Sequence, residues 1–120
     1  MIKNLKKLTA GFYRTKTGKE PVRDWLKKLS DKERKIIGQD IATIEYTWPV
    51  GMPLCRSFKK SGLWEIRSNL DQKRISRVLF FILGKRMILI HGFIKKAQKT
   101  PLKDLQLAET RMKEVLKHEK

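Results

Sequence analysis

Between Pro21 and Leu29 the apolar residues Val22, Trp25, Leu26 and Leu29 recur at intervals of three and four. That is the spacing of one helix face, and a proline stands at its first turn, where it is tolerated. The tetrad SDKE, Ser30 to Glu33, follows at once; its serine and glutamate can satisfy each other's free backbone amides, so it predicts the start of a second helix. Ile37, Ile41, Ile44 and Trp48 would face inward, and the helix is expected to stop at Trp48-Pro49 because proline pushes its predecessor out of the helical region. PVGMP, residues 49 to 53, predicts a loop. Beyond it the period changes. LWEIRSN (63–69), ISRVLFFIL (75–83) and RMILIHGFI (86–94) are rich in β-branched and aromatic residues and are separated by the turn-like LDQKR and LGKR. They predict three consecutive antiparallel strands. TAGFYRT, residues 9 to 15, predicts an earlier strand, and TGKE a turn after it. Thr100 and Pro101 predict a helix start, with Leu102, Leu105, Met112, Val115 and Leu116 inward.

The expected fold is α+β, of order βααβββα: an antiparallel sheet packed against a helical hairpin and closed by a C-terminal helix. Residues 1–120 are expected to form a single domain. The lone cysteine, Cys55, permits no internal disulfide and is expected to be inert in a reducing compartment. The opening MIKNLKKLTA lacks a signal peptide's apolar run and no later stretch approaches a membrane span, which predicts a cytoplasmic protein.

Charge changes this picture. The chain carries 29 Lys and Arg against 12 Asp and Glu, formally +17. Residues 51–100 hold 12 basic side chains against only Glu65 and Asp71, net +10. Such density costs self-repulsion unless an anionic partner offsets it. Nucleic acid is the expected partner, and no basic amphipathic anchor points to a membrane.

Alternation fixes which side chains act together. Leu63, Glu65 and Arg67 share one strand face, Trp64 and Ile66 the other. A charged face opposite an apolar one predicts a sheet with one side on the helices and one side partly open. Arg77 lies alone among Ile75, Leu79 and Phe81, and it must pair, snorkel or bind an anion. Two readings stand: an ion pair with Glu65, or a phosphate contact whose loss would remove activity while leaving the fold intact. His91, Phe93 and Lys95 share a face, and Gly92 permits close approach of another group.

The acidic residues, two histidines and one cysteine show no metal-ligand spacing, and no cofactor fingerprint occurs, so no cofactor is expected. Arginines, lysines, a glutamate, a histidine and aromatics suit RNA cleavage by its own 2′-hydroxyl, which needs a base, an acid and positive charge around phosphorus. Phe93 or Trp64 would stack a base. Lys59, Lys60, Lys73, Arg74, Lys96 and Lys99 are the further expected RNA contacts.

LWEIRSN, RVLFF and ILIHGFIKKAQKTP, preceded by PVRDWLKKL, resemble the phage-derived, HigB-like branch of the RelE/HigB toxins in the ParE superfamily. The resemblance covers roughly residues 8 to 116, and FIKKAQKTP is its most specific part. It implies a metal-independent endoribonuclease that cuts messenger RNA at the ribosome and is neutralised by a cognate helix-turn-helix, HigA-like antitoxin. It puts Arg67, Arg77, Lys95 and Lys96 on the family's basic positions. Glu65 is then the candidate base, and His91 or Lys95 the candidate acid. Relatives often carry a C-terminal tyrosine or histidine; here Lys113, Lys117 and His118 stand in a helix, which leaves the acid open. A non-catalytic nucleic-acid or ribosome binder and a ParE-like gyrase inhibitor are the alternatives.

Overall fold

A computed structural model describes residues 5–95 and 99–118. The elements are β1 (Thr9–Phe12), α1 (Pro21–Lys27), α2 (Asp31–Thr47), β2 (Cys55–Phe58), β3 (Leu63–Asn69), β4 (Ile75–Leu83), β5 (Arg86–Lys95) and α3 (Leu102–His118), with a 3-10 turn at Asp71–Lys73. The α+β class agrees with the sequence pattern, and so does the element order except for one added strand, β2. The capping box at α2 is formed: the Ser30 hydroxyl accepts from the Glu33 amide at 3.1 Å, and the Glu33 carboxylate accepts from the Ser30 amide at 3.2 Å.

The strands make one sheet in the order β1-β5-β4-β3-β2. β2 through β5 pair antiparallel, whereas β1 joins β5 in parallel. β2 has no counterpart in the sequence reading. Its four residues, CRSF, sit between a proline-rich loop and a lysine turn, too short for alternation to show, and only pairing with β3 makes them a strand.

Two apolar layers sandwich the sheet. Val22, Ile37, Ile41 and Ile44 of α1 and α2 pack on Ile66, Val78, Phe80, Met87 and Leu89. On the opposite face Ala108 and Met112 of α3 pack on Leu63, Leu79, Phe81, Ile88 and Ile90. α3 lies across the centre of the face expected to be partly open, and leaves its β2 side uncovered. The inward face of α3 also differs, because Leu102 and Leu116 are exposed while Asp104, Ala108 and Met112 are buried. No helix among the described residues is long and apolar enough to cross a membrane.

Two details hold the site strand in place. A register shift opposite Leu79 and Phe80 lets Ile90 and His91 both face α3, so the residues beyond resume alternation with Phe93 and Lys95 on that side. Gly92 points the other way, beneath the Trp25 ring of α1; a Cβ there would stand 2.5 Å from two ring carbons. Gly92→Ala must displace a rigid indole and is expected to destabilise the protein by about 1–3 kcal/mol, as overpacking does. An unchanged denaturant midpoint would contradict this account of the glycine.

Candidate functional site

On the α3 side of the sheet, register arranges the chemistry in cross-strand rows. Arg56, Glu65, Leu79 and His91 form one row; Arg67, Arg77 and Phe93 form the next; Ile75 and Lys95 pair in the third. The row residues come from four strands, so the sheet itself sets their spacing, at roughly 4.8 Å per strand.

At the centre, Arg77 Nη1 donates to Glu65 Oε1 at 3.0 Å, and both side chains are fully buried. The Thr100 hydroxyl, just before α3, donates to Glu65 Oε2. The ion pair with Glu65 is formed, and with no exposed surface Arg77 does not meet a phosphate in this arrangement. Glu65, the expected base, is likewise closed off from solvent and holds Arg77 and Thr100.

Toward the end of β5 the face opens. His91 Nε2 lies 2.7 Å from Asp104 Oδ1, and the Lys95 ammonium lies 3.8 Å from Asp104 Oδ2. Asp104 is 7% exposed, whereas the Lys95 side chain is 46% exposed. The Phe93 ring joins them, 5.4 Å from the His91 ring centroid and 5.8 Å from the Lys95 ammonium. With Asp104 accepting from Nε2–H, a neutral His91 carries its lone pair on Nδ1 and is a proton acceptor. Asp104 escaped the sequence reading, since a lone acidic residue in a helix's first turn more often serves the helix dipole. Thr100 had been read only as a cap.

The remaining expected residues disperse. Arg67 is half-buried and lines a depression of about 280 Å³ with Asp40, Pro53, Leu54 and Asn69; neither Arg77 nor Lys95 is in that lining. Arg67, Arg77 and Lys95 thus share a sheet face, while the depression beside Arg67 includes neither of the other two. Arg74 pairs with Glu33 of α2, whose carboxyl is held below its usual range chiefly by that arginine. Lys73 and Lys99 are exposed away from any ion pair among the described residues, Lys59 and Lys60 occupy the β2–β3 turn, and Lys96 lies outside the described residues. Trp64 faces the helical hairpin, edge-on to Trp48 at 4.7 Å. His118 lines a separate depression with Tyr13 and Glu114. Among the described residues no three His, Cys, Asp or Glu side chains are grouped to hold a metal ion.

A family model described as "Phage derived protein Gp49-like (DUF891)" matches residues 24–113, three quarters of the chain. The matched span contains Glu65, Arg77, His91, Lys95 and Asp104. No curated protein matches the chain.

Removing one partner of a buried ion pair strands the other charge, at about 3–5 kcal/mol. Arg77→Ala should accordingly lower the denaturant midpoint sharply, and pairing Arg77→Met with Glu65→Leu should recover most of the loss. Wild-type stability in Arg77→Ala would show that the pair is not closed off. Cys55 is 1% exposed, and burial, reinforced by the Glu65 charge, pushes its thiol up to about 12. Native protein at pH 8 should resist alkylation and label only on unfolding. Because the raised thiol stays neutral in the fold, its contribution to stability should decline as pH rises from about 9, where the unfolded thiol ionises, toward about 12.

Proposed function

We propose that this chain, which belongs to the phage-derived Gp49-like family, a family of RelE-like, toxin-like proteins associated with toxin–antitoxin systems, is a toxin that cuts messenger RNA. The reading rests on one observation above the others: a histidine held by a buried carboxylate beside an exposed lysine, on the most basic stretch of the chain. His91 takes the proton of the ribose 2′-hydroxyl through Nδ1, and Asp104 keeps the ring oriented and steadies the imidazolium that results. Lys95 neutralises charge gathering on the five-coordinate phosphorus and supplies a proton to the departing 5′ oxygen. Arg67 and the surface lysines position the phosphate backbone, and Phe93, 9% exposed, braces His91 and Lys95 from beneath. Glu65 and Arg77 act through the position they give to α3.

The family implies an antitoxin partner. We assign it as an acidic, HigA-like helix-turn-helix protein that covers the basic margin of the sheet, and the target as messages on translating ribosomes. The burial of Glu65 and Arg77 favours one second reading, a ribosome or RNA binder that arrests translation without cutting.

Translating ribosomes given the purified protein should yield messages with new 5′-hydroxyl ends and 2′,3′-cyclic phosphates upstream, with the cutting indifferent to chelators. His91→Ala should slow it about 10²–10⁴-fold with the fold intact, and Asp104→Asn by less. Arrested translation with intact messages would replace the nuclease with the binder.

A further inference from the structure

A second concave region lies on the same sheet face, at its far edge. A depression of about 360 Å³ runs between the β2–β3 hairpin and the flank of α3, walled by Arg56, Phe58, Lys59 and Lys60 on one side and by Leu105 and Glu109 on the other. The Arg56 guanidinium lies over the Phe58 ring, 4.8 Å from its centroid. Arg56, Lys59 and Lys60 form no ion pair among the described residues, so three cations face a single carboxylate.

Lysines beside an edge strand have a bland explanation, since they discourage edge-to-edge pairing. That accounts for Lys59 and Lys60 but not for an arginine held over a half-buried aromatic ring inside a concavity. Guanidinium planes and aromatic faces are the two side-chain surfaces on which unpaired bases stack, and lysines at the rim suit the phosphates on either side. Glu109 adds an acceptor for a base's exocyclic amine. Register places Arg56 at the outer end of the row that ends in His91, three strand spacings or about 14 Å away.

We infer that the Arg56–Phe58–Lys59–Lys60 depression is a second binding site for single-stranded RNA, holding one base and its flanking phosphates a few nucleotides from the bond at His91. The inference rests on the RNA-cutting reading and adds a subsite to it. It explains how a substrate is retained when the centre of the face is filled by α3.

The test uses the full chain and a short 2′-O-methyl RNA, which cannot supply its own nucleophile, so that fluorescence anisotropy reads binding alone. Substituting Lys59→Ala and Lys60→Ala together should weaken binding and make the dependence of log Kd on log salt shallower by about 1.4, two phosphate contacts on a single strand. Phe58→Leu should weaken binding about tenfold for an oligonucleotide with bases and leave an abasic backbone unaffected. In the cleavage assay KM should rise in step with Kd. Wild-type protein that cuts RNA, beside a normally melting Lys59→Ala/Lys60→Ala variant with unchanged Kd and salt slope, would overturn the subsite alone. Failure of the wild type to bind the oligonucleotide and to cut messages would instead remove the RNA reading on which it stands.

Discussion

The Glu65–Arg77 pair is the constraint from which the rest of the molecule's second face follows. Two opposite charges inside a sheet are tolerable when they meet each other and further hydrogen bonds help to satisfy them. β3 supplies the carboxylate, β4 the guanidinium, and the free carboxylate oxygen is taken by the Thr100 hydroxyl at the mouth of α3. This last contact fixes where the helix begins. Asp104 lies one helical turn beyond Thr100, so fixing the helix start also fixes the carboxylate that holds His91. An apolar pair at positions 65 and 77 would pack as well or better, but it would offer Thr100 nothing to hold. What the charged pair adds is location rather than stability.

The same accounting sorts the cations. Arg77 is spent in the interior on Glu65, while Arg74 and Arg34 pair nearer the surface with Glu33 and Asp31. Arg56, Lys59, Lys60, Arg67, Lys73 and Lys99 have no anionic partner among the described residues, and Lys95 is shared with Asp104 while nearly half exposed. With 12 basic residues against two acidic ones between positions 51 and 100, internal pairing exhausts the local carboxylates at once. The surplus faces water as a positive field, of the kind that steers and retains an anionic polymer.

Much of the fold was legible because its signals are local. The capping box at Ser30, the helical spacing through Ile44 and the strand alternation from Leu63 to Lys95 each depend on residues a few positions apart. The Glu65–Arg77 pair was one of two readings for the same reason: alternation puts both on one face, and an isolated arginine needs a partner. What stayed hidden depends on distant segments. β2 exists only through β3, and the placement of α3 over the charged face joins its apolar packing to a hydroxyl that meets a carboxylate 35 residues away. Helical periodicity chose Leu102 for the core because it weighs hydrophobicity alone, whereas the folded helix turns Asp104 inward toward His91. That rotation covers Arg77 and Glu65 and gives His91 a partner that no spacing rule names.

A helix about 10–12 Å across cannot cover a five-stranded sheet nearly twice as wide. α3 packs chiefly on β5 and β4, so the β2 side must stay uncovered, as must the strand ends beyond the start of the helix. The chain has put different chemistry in these two openings: a histidine, a carboxylate and a lysine at the strand end, and an arginine on a phenyl ring with two lysines along the flank. Neither opening resembles a closed enzyme pocket, which suits a polymer better than a small molecule, because a polymer can be held at two shallow points at once. The helix that closes the centre of the face therefore also divides its chemistry between the strand-end opening and the β2 flank.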